Sequence, residues 1–215
     1  MAPPPLRPRE RRLLIALMVL FWAAVAWSAV KPYHLEDYLL EIATPVTGFV
    51  ALAATFRWFR FTGLSHGLMF CEAIILVVGA HYTHERVPLF DWLRDSLGWQ
   101  RNHYDRFAHF AVGFLMVIPA REVLLRATPL RGGWLQALSV VCLLAFSAFY
   151  EITEWWIAIA ASPEAGAAYL GAQGDPWDAQ KDMLLDALGA VAGVLVFTRL
   201  HDSALGSRPA GTVDS

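Results

Sequence analysis

Long apolar runs separated by short polar stretches set the plan of this chain. Six of them, at about 13–30, 38–56, 66–82, 106–125, 134–160 and 183–200, approach or exceed what is needed to cross a hydrocarbon core of about 30 Å. The pattern predicts an all-α polytopic bundle: one six-helix transmembrane domain over 13–200. Between the third and fourth runs, residues 83–105 read as a polar loop. Within it Pro88 opens PLFDWLRDSLG, where Leu89, Phe90, Leu93 and Leu97 share a face opposite Asp91, Arg94 and Asp95. That spacing predicts a short helix near 88–98 lying in the membrane interface rather than crossing it. Residues 1–12, MAPPPLRPRERR, read as a disordered cytoplasmic N-terminus. The run after them is long for a signal-peptide core and reads as an uncleaved first helix. A glycine- and alanine-rich loop is expected over 161–174, and a mobile cytoplasmic tail over 201–215.

Composition agrees with a membrane protein. The 215 residues are 57% hydrophobic and 17% charged, whereas soluble domains are about half apolar and about a quarter charged. Cys71 and Cys142 fall inside apolar runs without CxxC spacing and read as buried small hydrophobes. No P-loop, Ser-His-Asp order, Rossmann fingerprint or nucleic-acid patch is present. With the N-terminus inside, eleven of the 17 Lys and Arg fall on the inner side, a positive-inside bias that predicts an N-in, C-in topology. In that frame fourteen of the 19 acids and five of the seven histidines gather at the outer end.

The stretch QGDPWDAQKDMLLDALGAVAG, residues 173–193, concentrates this polarity. Asp175 before Pro176 reads as an N-cap with proline at the first helical position. Asp178, Asp182 and Asp186 then recur at every fourth residue on one face, and Gly189 and Gly193 continue it as a GxxxG pair. Such a pair permits close packing within or between chains. Asp105 and His109 enter the fourth span from the same side, with Gly113 on their face. Glu151 lies about 25 Å along its helix from Trp134, with Glu154 one turn beyond, and Asp186 lies roughly 20 Å from Arg199. His81, His84 and Glu85 close the third span at that level. Glu41 reads as solvated among headgroups; Glu72, deeper, is expected to hydrogen-bond another helix.

Stacked carboxylates near lipid call for a cationic partner, and here acids outnumber bases. The candidate ligands of a divalent metal ion are Asp105, His109, Glu151, Asp178, Asp182, Asp186, His81 and His84. Carboxylates with one or two imidazoles suit Zn²⁺, Mn²⁺ or Fe²⁺, and carboxylates alone suit Mg²⁺ or Ca²⁺. Such an ion can activate water or polarise a phosphate ester. The candidate catalytic residues are Asp105, His109, Glu151, Glu154 and Asp182, with Glu151 or Glu154 as general base. Three readings stay open: a metal-dependent enzyme on a lipid or lipid-linked envelope molecule, a small cation or amphiphile transporter, and a structural clasp between helices. Asp178 also fits a helix-dipole role, and Arg106 and Lys181 fit simple neutralisation of acids.

GAHYTHERVPLFDWL, RNHYDRFAHFAVGFLMVIPARE, FYEITEWW and AYLGAQGDPWDAQKDM resemble the bacterial inner-membrane YjdF-like family, which carries a domain of unknown function. The likeness covers most of residues 10–200. More distantly, Asp105-x3-His109, Glu151-x2-Glu154 and Asp182-x3-Asp186-x2-Gly189 look like the VanZ-like family, linked with glycopeptide resistance. That pattern has Gln near Glu154 and Asn at Asp186, so this chain is the more acidic. The resemblance implies a bacterial cell-envelope setting and names no reaction.

Overall fold

A computed structural model describes residues 6–160 and 172–206. They form α1 (Pro8–Ser28), α2 (Leu35–Thr55), α3 (Gly63–Tyr82), α4 (Pro88–Leu97), α5 (Tyr104–Ala127), α6 (Gly132–Ala160) and α7 (Asp178–Gly206), with a 3-10 turn at Ala172–Gly174. All except α4 are long and apolar enough to cross a membrane. The expected all-α bundle and its short amphipathic helix are therefore present. Pro88 opens α4 at its first turn, and Gly98, at φ 67°, closes it in the left-handed region.

The helices outrun the apolar stretches. α1 begins at Pro8, so residues 8–12, expected to be disordered, are helical; Glu10 accepts a hydrogen bond from the Arg7 backbone N–H (2.9 Å) and secures that end. α7 continues to Gly206, so residues 201–206 are helix rather than tail. His201 is fully buried there and bonded to Arg121 (2.7 Å), which also pairs with Asp202 (2.8 Å). At its other end α7 starts two residues later than Asp175-Pro176 suggested. The Asp175 carboxylate accepts the Trp177 N–H (3.1 Å) in a turn that precedes the helix. The expectations for residues 1–5, 161–171 and 207–215 lie outside the described residues.

α5 and α7 share the most extensive seam, with α6 packed on both, α3 on the other side of α5, and α1 and α2 on α3. Three glycines make the central seam. A Cβ on Gly113 would strike the Asp186 carbonyl oxygen, one on Gly189 that of Phe110, and one on Gly193 that of Phe114. The GxxxG pair therefore serves contact within the chain: two backbones touch, and lipid is excluded between them. Leu195 and Trp134 are exposed, as are Cys71 and Cys142, which were expected to be buried; Cys142 lines a cavity. In a bilayer an apolar position is equally satisfied by lipid, so hydrophobicity does not indicate burial there.

At the end of the bundle where α3 begins, Glu122 of α5 forms a second joint. Its carboxylate accepts the Thr62 N–H (3.0 Å), the Thr62 hydroxyl (2.9 Å), the Ser65 hydroxyl (2.6 Å) and Arg126 (3.1 Å). His201 Nε2 lies 3.4 Å away. This cluster ties α3, α5 and α7 together, and both oxygens of the Glu122 carboxylate are met by donors.

Replacing Gly113 or Gly189 by alanine forces α5 and α7 apart and should cost about 3 kcal/mol or more. Gly48→Ala, where a Cβ meets nothing, should be neutral or mildly stabilising. Reversible unfolding in detergent checks both.

Candidate metal centre

Helical spacing decides which groups meet. Asp105 and His109 are one turn apart on α5, Glu151 and Glu154 nearly so on α6, and Asp182 and Asp186 one turn apart on α7. The glycine seam brings the α5 and α7 backbones together at Gly113, so Asp186 is delivered to His109. Asp186, 1% exposed, accepts the Ser147 hydroxyl on Oδ2, and the same oxygen lies 3.0 Å from His109 Nδ1. A neutral His109 then carries its proton on Nδ1, donating to Asp186, and turns the Nε2 lone pair inward. Nε2 is 3.9 Å from Asp105 Oδ1 and 3.9 Å from Glu151 Oε1.

Asp105, His109 and Asp182 each offer one ligand atom, and the three lie within 4.8 Å of one another. Asp182 is buried, and among the described residues its Oδ1 has no hydrogen-bond partner; neither does Oε1 of Glu151 or Oδ1 of Asp186. Glu154 lines the same cavity one turn along α6. Asp186 thus stands behind His109 as the group that orients it, not as a ligand facing Asp105 and Asp182.

A second layer of charge closes over this one. Arg101 pairs with Asp178 (2.8 Å) and lies 3.6 Å from Asp175 and 3.8 Å from Asp105 Oδ2. Arg106 bonds Asp175, as does Lys181 (2.6 Å). The Lys181 hydrogen bond, then the Trp177 N–H, draws the Asp175 carboxyl down to about 2. Asp178, a candidate ligand by sequence, is therefore committed to Arg101. Arg106 and Lys181 do neutralise acids, as the simpler expectation had it. Alongside, Gln173 bridges Asn102 through both its amide atoms (2.9 and 2.8 Å) and donates its backbone N–H to Glu85 (3.1 Å). Burial lifts the Glu85 carboxyl above its ordinary range despite that bond.

The two histidines at the end of α3 part company. His81 gives Nδ1 to the Ser28 carbonyl (2.9 Å) and lays its ring against Trp27, so it fastens α3 to α1 and does not join Asp105 and Asp182. Spacing alone could not separate it from His84. Thr83 (φ 58°) and His84 (φ 37°) both lie in the left-handed region, an uncommon pairing for residues with side chains. The turn folds the His84 ring over Gly79, where a Cβ would collide with it, and carries Nδ1 to 2.7 Å from Glu41. Glu41 is thus paired and not simply solvated. Burial disfavours the His84 charge, but the Glu41 carboxylate more than offsets this and raises its pKa above 6.5.

Glu72 departs furthest from expectation. It is 4% exposed, and neither carboxylate oxygen has a hydrogen-bond partner among the described residues. Asp186 and His109 are near enough to act on its charge. Ser147, Arg101 and Glu72 are the members of the site that sequence reasoning missed or left aside. Arg101 carried a signal, as a base four residues before Asp105, whereas a serine in an apolar run carries none.

An elongated cavity of about 1800 Å³ leads into the cluster, with Glu41, Pro45 and Leu52 of α2 on one wall and Cys142, Phe146 and Tyr150 of α6 on another. These features define a polytopic membrane protein with a buried acidic and imidazole site at one end of its bundle. The chain belongs to the DUF2238 family, described as predicted membrane proteins, whose profile matches residues 13–203. It is similar to the inner membrane protein YjdF of Escherichia coli strain K12, at 41% identity over 176 residues, 81% of this chain and 84% of that one. No solved structure matches it.

The His84–Glu41 pair gives a pH prediction. A folded-state pKa above the unfolded value means the pair stabilises fully below about 6.5 and loses this as pH rises through the raised value. Melting temperatures of wild type and His84→Gln should therefore differ more at about pH 6 than at about pH 9.

Proposed function

We propose that this is a bacterial inner-membrane protein that binds one divalent metal ion through Asp105, His109 and Asp182 and acts there on the polar head of a lipid or lipid-linked molecule. The positive-inside bias supports an extracytoplasmic setting for the acidic end. The observation that carries the reading is the unpartnered Asp182 oxygen, buried beside the inward-facing Nε2 of His109 and the free Glu151 oxygen. Arg101, Arg106 and Lys181 are engaged with Asp175 and Asp178, with Arg101 also 3.8 Å from Asp105, which leaves the layer beneath with no arginine or lysine of its own among the described residues. Buried carboxylates in that state are costly, and a bound cation removes the cost.

One imidazole with two or three carboxylates suits Zn²⁺, Mn²⁺ or Fe²⁺. The ion would polarise a phosphate ester and acidify a bound water, with Glu151 Oε1 placed to take the water's proton. Asp186 and Ser147 hold the ring in the ligating orientation, the arrangement typical behind metal-bound histidines. The length of the cavity favours a second reading, conduction of a cation or amphiphile along the bundle.

The test is metal content of protein purified without chelators and exposed to Zn²⁺ or Mn²⁺. Wild type and Asp175→Asn should hold one ion per chain, and Asp182→Asn and His109→Gln none. Asp186→Asn should weaken affinity by about 10- to 100-fold. If no sample takes up metal and the same variants instead lower the melting temperature, the layer is a structural clasp. Metal flux through proteoliposomes would favour conduction.

A further inference from the structure

The cavity holds more than an ion requires. Its volume, about 1800 Å³, exceeds the roughly 300–1,000 Å³ of pockets that take drug-sized ligands. Its lining on α2 extends from Asp37 to Thr55, about 27 Å along the helix. Polar groups gather at one end of it, and the remainder is largely apolar. α2 packs chiefly on α3, and α6 on α5 and α7, with no packing seam joining α2 to α6 across the opening. Both are membrane-length helices, so a gap between them faces hydrocarbon.

Glu72 lines the cavity where its acidic end passes into the apolar walls. It is a carboxyl group more than nine-tenths buried whose two oxygens meet no donor among the described residues. An unmade hydrogen bond at such a site costs about as much as removing the group from water, unless a ligand supplies the donor. Arg101, Arg106 and Lys181 are bonded elsewhere, and His84 is bonded to Glu41. With no donor among the described residues, Glu72 is open to one from the cavity it lines.

We propose that the cleft between α2 and α6 binds a membrane lipid entering sideways from the bilayer, its hydrocarbon chains along the apolar walls and an amine or hydroxyl of its head donating to Glu72. This rests on the reading of the site as one that acts on lipid heads, and it names the recognition element. A lipid whose head has neither N–H nor O–H, such as phosphatidylcholine, leaves Glu72 without a donor and is disfavoured by about fivefold, the ratio one hydrogen bond supplies.

The experiment uses the full chain, treated with chelator so that the result is independent of any metal. Equilibrated with vesicles containing equal amounts of phosphatidylethanolamine, phosphatidylglycerol and phosphatidylcholine, then re-extracted in mild detergent, it is assayed for retained lipid by mass spectrometry. The expected result is about fivefold retention of the amine- or hydroxyl-headed lipid over phosphatidylcholine, the favoured arm telling which donor is read. Glu72→Leu should lose the preference and keep its melting temperature. A spin label on Cys142 in a Cys71→Ala background, within the cleft, should be relaxed by oxygen and shielded from a water-soluble nickel complex. No head-group preference, a preference that survives Glu72→Leu, or a label open to nickel would overturn the proposal. Protein that binds no metal yet keeps the preference would sink the metal centre alone and leave the lipid site standing.

Discussion

Everything at the acidic end depends on how closely α5 and α7 approach. Gly113, Gly189 and Gly193 let each backbone rest on carbonyls of the other, and no side chain could be accommodated in those places. In lipid there is no hydrophobic drive between helices, so such contact must come from close van der Waals packing and polar links. The consequence is local and chemical. With Gly113 set against the Asp186 carbonyl, the Asp186 side chain is one hydrogen bond from His109, and the imidazole can point only one way. Ser147 on α6 completes the support, so three helices fix a single ring.

Charge at this end divides by depth. The acids around the start of α7 are met by Arg101, Arg106 and Lys181, a clasp that joins the segment before α5 to the turn before α7. One or two turns further in, Asp182, Glu151 and Asp186 each keep a buried oxygen without a partner among the described residues. The opposite end of the bundle shows what a structural polar joint looks like in the same chain. Glu122 is equally buried but is met by donors from α3, α5 and the neighbouring segment. The contrast between a met carboxylate and unmet ones is what supports the proposed binding site over a structural clasp.

Much of this was legible in the residues themselves, because helical periodicity is a strong signal. Asp178, Asp182 and Asp186 could be placed on one face, and Asp105 with His109 on another, before any coordinates. The glycines were legible as a contact surface, although their partner was not. What stayed hidden depends on contacts across the sequence. His81 and His84 are three residues apart at a helix end, yet a left-handed turn at Thr83 and His84 sends one ring to Ser28 and the other to Glu41. Glu122 and His201 meet over 79 positions, and Ser147 looks like any small residue of an apolar run. Burial of Cys71 and Cys142 was misjudged because lipid or an apolar cavity suits a thiol as well as a packed core does, and helix ends were set by capping and ion pairs beyond the apolar stretches.

The most direct test of the central claim is the coordination shell itself, read by X-ray absorption at the metal edge of protein loaded with a single Zn²⁺. The account predicts oxygen and nitrogen neighbours at about 2.0–2.2 Å, with the outer-shell scattering of one imidazole. That imidazole signal should vanish in His109→Gln and persist in His81→Gln. Two or more imidazoles, a sulfur neighbour, or a spectrum unchanged by His109→Gln would contradict it.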